Sequence, residues 1–362
     1  MRQDPLRLFI QGRIGVLSRI KAACGRESGI IWFYVSSLGE FEEARPIIEA
    51  TRARFPERKI LLTVFSPSVW QLAKAYRSVD WTFFMPPDTP LNVRRFLNAV
   101  RPEKAIFRSV SHRPFLLHEL QRRKIATYAL SDRLVGDARV DRAVAVAAKP
   151  WSNRIVDAWR DGQKVFVAGS THPVEDWMIV QIANTHPECK ILIIPFEPDR
   201  GEVNAILSQA RNGAVRYSDH KGKPADDALL GAQILVIDTV GLLSRLYRYG
   251  FAAYVGGGFT EAMPHSVVEP ASYGIPVAFG PHYESEMHCR ELAELEAGFP
   301  VTNLQELEFF YEKSVGDRRF LERTGRIAQE YCHKATGATA AFMDILFPES
   351  SAGDRSKNVA KM

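Results

Sequence analysis

The chain reads as two successive series in which short apolar runs alternate with amphipathic ones. The first strong run, IIWFYV at Ile30–Val35, is apolar at consecutive positions, which predicts a parallel strand covered on both faces. Ser36-Ser37-Leu38-Gly39 predicts a turn, and a helix follows to about Arg54. A strand at Lys59–Phe65 comes next, and Ser66-Pro67-Ser68 opens another helix. Short strands near Trp81–Phe84, Lys104–Arg108 and Ala126–Leu130 then alternate with helices at Pro90–Val100 and Pro114–Arg123. Strand–helix alternation of this kind predicts a doubly wound parallel sheet.

The pattern weakens from about Val135 to Gly162 and then resumes. Strands are predicted at Lys164–Ala168, Lys190–Ile194, Ala214–Tyr217, Gln233–Asp238, Ala252–Val255 and Pro276–Phe279, with helices between them. A helical stretch from about Asp317 to Leu346 closes the chain before a polar tail. The expected organisation is a basic amphipathic segment at 1–29 and a Rossmann-like domain at 30–135. A second Rossmann-like domain with a closing helix spans 136–346, and a flexible tail spans 347–362. Two such α/β domains are expected to face one cleft.

Composition changes this picture little. A chain of 362 residues exceeds one ordinary core. Its net charge of +5, from 47 basic and 42 acidic residues, is too mild to mark a nucleic-acid binder. The four cysteines, Cys24, Cys189, Cys289 and Cys332, are far apart, which fits structural thiols in a reducing compartment. No apolar run approaches the ~20 residues that span a bilayer. In the first 25 residues, Arg2, Arg7, Arg13, Arg19 and Lys21 alternate with apolar residues and meet one acid, Asp4. That suits a helix lying on an anionic membrane surface, or one packed on its own domain.

In sheets of this kind ligands bind beyond the carboxyl ends of the strands, so the turns after strands carry the candidate chemistry. Glu40, in the turn with Ser37 and Gly39 after the first strand, is placed to take a proton from an incoming hydroxyl; the alternative is a carboxylate that only complements the helix dipole. Gly169-Ser170-Thr171 is small and hydroxylated at a helix start, which suits a phosphate or an ordinary helix cap. Pro195, Phe196 and Glu197 form a turn that could touch a ribose or a base, or be a plain loop. Val240-Gly241 offers backbone to a base edge. The strongest signal is Gly256-Gly257-Gly258 followed by His265, Ser266 and Glu269. Glycines let a backbone approach a ligand, and a carboxylate one turn into a helix can accept two hydrogen bonds from a ribose diol. No histidine or cysteine spacing suits a metal, and no P-loop, GxGxxG or GxSxG pattern occurs.

Taken in order, IIWFYVSSLGEFEEARPII, FMPPDTPLNVRRFL, GDARVDRA from Gly136, FVAGSTH, VIDTVGLLSRLYRYGFAAYVGGGF and HSVVEPASYGIPVAFGPHY resemble the Kdo (3-deoxy-D-manno-octulosonic acid) transferases of lipopolysaccharide core synthesis. The resemblance implies a GT-B fold and inverting, metal-independent transfer of Kdo from CMP-Kdo to a lipid A precursor. It implies no cofactor and a peripheral place on the cytoplasmic face of the inner membrane. Glu40 matches the general base. Ser37, Gly39, Gly169, Ser170, Thr171, Pro195, Glu197, Val240, Gly241, Gly257, Gly258, His265, Ser266 and Glu269 match substrate-binding positions. The chain departs from the family at four places. Ser111 stands where an acid is usual, and Phe196 where a basic residue or histidine is usual. Ser266 replaces the asparagine after His265, and Ser131–Val135 runs straight into Gly136, shortening the first domain. Three readings stay open: a Kdo transferase, a transferase for another nucleotide sugar, and a non-catalytic nucleotide-binding relative.

Overall fold

In the computed structural model, described here for residues 5–108, 110–130, 136–259 and 263–348, the apolar runs become the strands of two separate parallel sheets. The chain divides into two compact units, residues 1–141 with 336–362, and residues 142–335.

The first unit holds β1 (Ile30–Val35), β2 (Ile60–Val64), β3 (Trp81–Phe84), β4 (Pro102–Phe107) and β5 (Ala126–Ala129) in the order β3-β2-β1-β4-β5. All six residues of β1 are buried, as its unbroken apolar run requires. Their alternation sorts them between two layers. Ile30, Trp32 and Tyr34 pack under helices 16–24, 90–100 and 114–122. Ile31, Phe33 and Val35 pack under helices 38–54, 67–73 and 338–346.

That last helix corrects the sequence reading, which assigned everything through 346 to the second domain. Phe342, Met343 and Leu346 are buried against Ile47 and Ile48 of the first unit, and Thr51 Oγ1 donates to Met343 Sδ at 3.5 Å. An apolar helical face goes wherever a complementary face is open, and its place in the sequence does not say where that is.

The second unit holds β6 (Val165–Thr171), β7 (Lys190–Pro195), β8 (Ala214–Arg216), β9 (Ile234–Val236), β10 (Gly250–Val255), β11 (Val277–Phe279) and β12 (Gly298–Pro300). Their order is β12-β11-β10-β6-β7-β9-β8. The edge strand β12, three residues ending in proline, was not foreseen; it is too short to show a period. The stretch of weak pattern at 135–162 forms helices Ala138–Ala148 and Arg154–Arg160. The first is rich in alanine, which favours a helix without marking an apolar stripe. Ser131–Val135, where the first domain was read as shortened, lies outside the described residues, as does most of the polar tail.

Each sheet has one point where its strand order reverses. In the first, β2 lies on one side of β1 and β4 on the other; in the second, β7 and β10 flank β6 in the same way. Successive connections diverge there and leave a crevice at the carboxyl edge, where such folds bind ligands.

Candidate active site

At the switch point of the first sheet, Ser37 (φ −130°, ψ 168°) caps the helix Leu38–Arg54. Its Oγ accepts from Glu40 N at 3.3 Å, and Glu40 Oε2 accepts in return from Ser36 N at 2.6 Å. This reciprocal capping satisfies two end amides and fixes the carboxylate at the mouth of β1. The other Glu40 oxygen has no hydrogen-bond partner among the described residues. Ser37 and Gly39 are exposed, and a Cβ on Gly39 would meet nothing nearer than Ser37 Oγ at 4.0 Å. The backbone beside Glu40 is therefore uncovered at Gly39. Across the switch point, beyond β4, Ser111 and His112 are exposed, and Tyr34 Oη lies 3.2 Å from His112 Nε2.

The second sheet brings the other candidates together by tight backbone packing. Ser170 adopts φ +54°, a left-handed conformation that costs a non-glycine residue about 1 kcal/mol or more. Thr171 is buried, and its Oγ1 has no hydrogen-bond partner among the described residues. A Cβ on Gly256 would come 2.3 Å from Ser170 O, and one on Gly258 2.7 Å from Gly280 Cα. Gly257 has φ +112°. These glycines were expected to admit a ligand; what they admit first is one another's turns. Gly169 behaves alike, since its Cβ would meet Tyr247 Oη at 2.2 Å and Leu243 Cδ1 at 2.6 Å.

One residue that the sequence reading passed over organises this region. Glu175, buried in the helix Pro173–Thr185, accepts from His172 N at 2.8 Å, Tyr254 Oη at 2.9 Å and Gly257 N at 2.9 Å. It ties the turn after β6 to the turn after β10. From sequence it reads only as a first-turn acid.

Phe196 proves to be a contact residue. Its ring stacks on His265 (centroids 4.3 Å apart, 25° between planes), and His172 lies beside both rings, 5.7 Å from His265 and 5.3 Å from Phe196. Burial first, and the neighbouring His172 second, bring the His265 pKa down to about 4, so the ring is neutral at pH 7. Pro195 is buried at the end of β7, while Glu197 is exposed.

Glu269 sits in the short helix Val268–Ala271, after Ser266, and has the partner its apolar surroundings demand: Arg142 Nη1 lies 3.7 Å from its Oε1. Arg142 comes from the helix Ala138–Ala148, in the stretch where the sequence pattern weakened, and no local signal marks it. Val240, 71% exposed, stands at the tip of its loop, and Gly241 has φ +91° with open space around it. Among the described residues, no group of three or more His, Cys, Asp or Glu side chains could hold a metal ion.

The family model described as 3-Deoxy-D-manno-octulosonic-acid transferase (kdotransferase) matches residues 10–168. The 3-deoxy-D-manno-octulosonic acid transferase of Haemophilus influenzae is 24% identical over 90% of this chain and 88% of its own length. That of Aquifex aeolicus is 26% identical over 77% of this chain and 84% of its own. Over most of its length the chain is similar to the Kdo transferases. It is a glycosyltransferase of GT-B fold. A glycosyltransferase structure from Rickettsia africae shares that fold, with a TM-score of 0.56 at 10% identity over 87% of this chain and 97% of its own. In this fold the Phe196 ring is held by its stack on His265, and Ser111 is an exposed residue beyond β4.

Proposed function

We propose that the protein transfers Kdo from CMP-Kdo to a lipid A precursor, with inversion and without a metal in the transfer step. The observation that carries this reading is Glu40, fixed by reciprocal capping at the switch point of the first sheet with the backbone beside it uncovered at Gly39. The Glu40 carboxylate takes the proton of the attacking acceptor hydroxyl. The acceptor oxygen bonds to the anomeric carbon of Kdo as the bond from that carbon to the CMP phosphate breaks, and CMP leaves with the electron pair. In the second unit, the amides opening the helix Pro173–Thr185 suit the phosphate, as helix N-termini do. Glu269, oriented by Arg142, suits the ribose diol.

Incubation with CMP-Kdo and a lipid A precursor, followed by mass spectrometry of the lipid, tests the reaction. A gain of one or more Kdo masses is expected; an unmodified lipid overturns the reading. Replacing Glu269 by Ala is expected to weaken CMP binding by about 1.5–3 kcal/mol, the worth of a charge-assisted contact, measured by calorimetry. Unchanged affinity would remove Glu269 from the donor site.

We also place the protein peripherally on the cytoplasmic face of the inner membrane. No described helix is long and apolar enough to cross a membrane. Ile10 and Ile14 are exposed on the N-terminal segment beside exposed Arg7, Arg19 and Lys21, a combination suited to an anionic lipid surface. Cosedimentation with vesicles containing anionic lipid is expected, with loss of binding when Ile10 and Ile14 are both replaced by Ser.

A further inference from the structure

We infer that Arg248 is a positioning residue for the donor nucleotide: it grips the end of the helix Ala138–Ala148, so that Arg142 on that helix stays against Glu269 and Glu269 reads both hydroxyls of a ribose. The ribose rests on the function proposed above; the contacts themselves all lie within the second unit.

Glu269 depends on its neighbours for its place. Its helix, Val268–Ala271, has four residues, and so short a helix has no stability of its own. Arg142 Nη1 approaches its Oε1 at 3.7 Å. At that length the attraction is one between charges and not a directed hydrogen bond. It fixes the carboxylate only as well as Arg142 is itself fixed.

Arg142 stands one turn before Val146, on the same face of the helix Ala138–Ala148. The last carbonyls of a helix have no partner within it, and helices fray from such ends. Arg248, half-buried, closes this one. Its Nη1 donates to Trp151 O at 2.9 Å, and its Nη2 donates to Lys149 O at 2.9 Å and to Val146 O at 3.5 Å. Its Nε donates to Arg245 O at 3.2 Å, in the helix Leu243–Leu246 just before it. Every nitrogen of the guanidinium thus faces a carbonyl, and no described carboxylate forms an ion pair with it. A cation at the negative end of a helix dipole is favourable, and a guanidinium spans two carbonyls where a single ammonium does not.

The same side chain reaches the segment that carries Glu269. Its guanidinium carbon lies 5.6 Å from the ring centroid of Tyr273, just past the Glu269 helix, and Tyr273 Oη donates to Ser244 O at 2.8 Å. The Trp151 ring meets the guanidiniums of Arg248 and Arg245 at 5.7 and 5.8 Å. Arg248 therefore joins three pieces: the helix that presents Arg142, the turn that follows Glu269, and the helix that follows the Val240–Gly241 loop. An arginine holding one of these would only stabilise it. One placed among all three sets the distance between Glu269 and its partner. That distance matters for a diol, because both carboxylate oxygens must be aimed for two hydrogen bonds to form.

Equilibrium binding of CMP and of 2′-deoxy-CMP to the full chain tests this, because the two differ only in a hydroxyl that Glu269 reads. The parent is expected to prefer CMP by about tenfold or more, the worth of one hydrogen bond to a charged group. Arg248→Met is expected to bring that preference to within about threefold, as is Arg142→Met. The double variant is expected to lose no more of it than Arg142→Met does, since the two residues act in series. A role in stability alone would weaken both nucleotides alike and leave their ratio in place, so an unchanged ratio in a folded Arg248→Met overturns the inference. If Arg248→Met does not fold, Arg248→Lys decides. The ammonium cannot span both carbonyls, so the preference is expected to fall by about threefold or more, and an unchanged one is equally fatal. A parent that binds the two nucleotides equally would remove the ribose from Glu269, and the donor role proposed for that residue would fall together with this inference. A parent preference that survives in the Arg248 variants sinks the inference alone.

Discussion

Replacing Glu40 by Gln is expected to lower turnover by about 10²–10⁴-fold, the usual worth of a general base, while CMP affinity stays within about twofold. Gln has nearly the same shape and keeps one carbonyl oxygen, so it can still accept from Ser36 N, the bond that Glu40 Oε2 makes at 2.6 Å. The Ser37 cap on the helix Leu38–Arg54 does not involve the changed atoms. The fold should therefore survive, with a melting temperature close to that of the parent. What Gln cannot do is take a proton. The prediction separates the two roles that the sequence left open for this residue. A carboxylate that only complements the helix dipole contributes about 0.3–1 kcal/mol to stability and nothing to the chemical step. Turnover that persists in the Gln variant would leave Glu40 with that lesser role.

The second large effect is expected at Glu175, which does no chemistry. Oε1 accepts from Tyr254 Oη and Gly257 N, and Oε2 accepts from His172 N. In Glu175→Gln one of these positions becomes an NH₂ group. It then faces either His172 N–H or the pair formed by Gly257 N–H and the tyrosine hydroxyl. A buried amide left against another donor costs about 1–3 kcal/mol, and the lost charge weakens the remaining bonds as well. Denaturant unfolding is expected to show a loss of about 3 kcal/mol. Nucleotide binding should fall with it, because the turns after β6 and β10 lose the link that sets their spacing. Undiminished stability would mean that the glycine packing alone holds those turns.

The two glutamates differ in how far the sequence exposes them. Glu40 was legible because its neighbours act locally. A fully apolar strand, a serine cap and an acid three residues later state the position of the carboxylate within one short stretch. Glu175 was not legible, because two of its three partners come from β10 and the turn after it, about eighty residues further on. The same distinction explains Arg142, which answers Glu269 from a stretch without a clear pattern, and Phe196, whose stack on His265 joins the turns after β7 and β10. It also explains the glycines. Their need was visible in the run Gly256-Gly257-Gly258, but its first cause is contact with Ser170 and Gly280, which only the strand order brings near.

By itself the sequence determined the two parallel sheets, most strand and helix positions, and the turns in which chemistry could lie. Apolar periodicity, caps and turn residues act over a few positions and need no tertiary context. The tertiary structure alone decided which turns meet, which charges face each other and which helix covers which sheet. Only there did Arg142 come to lie near Glu269, and the helix 338–346 against the first sheet. The reason is physical: strand order and helix docking are settled by burial and steric fit between segments distant in the chain, and a one-dimensional pattern does not contain those distances.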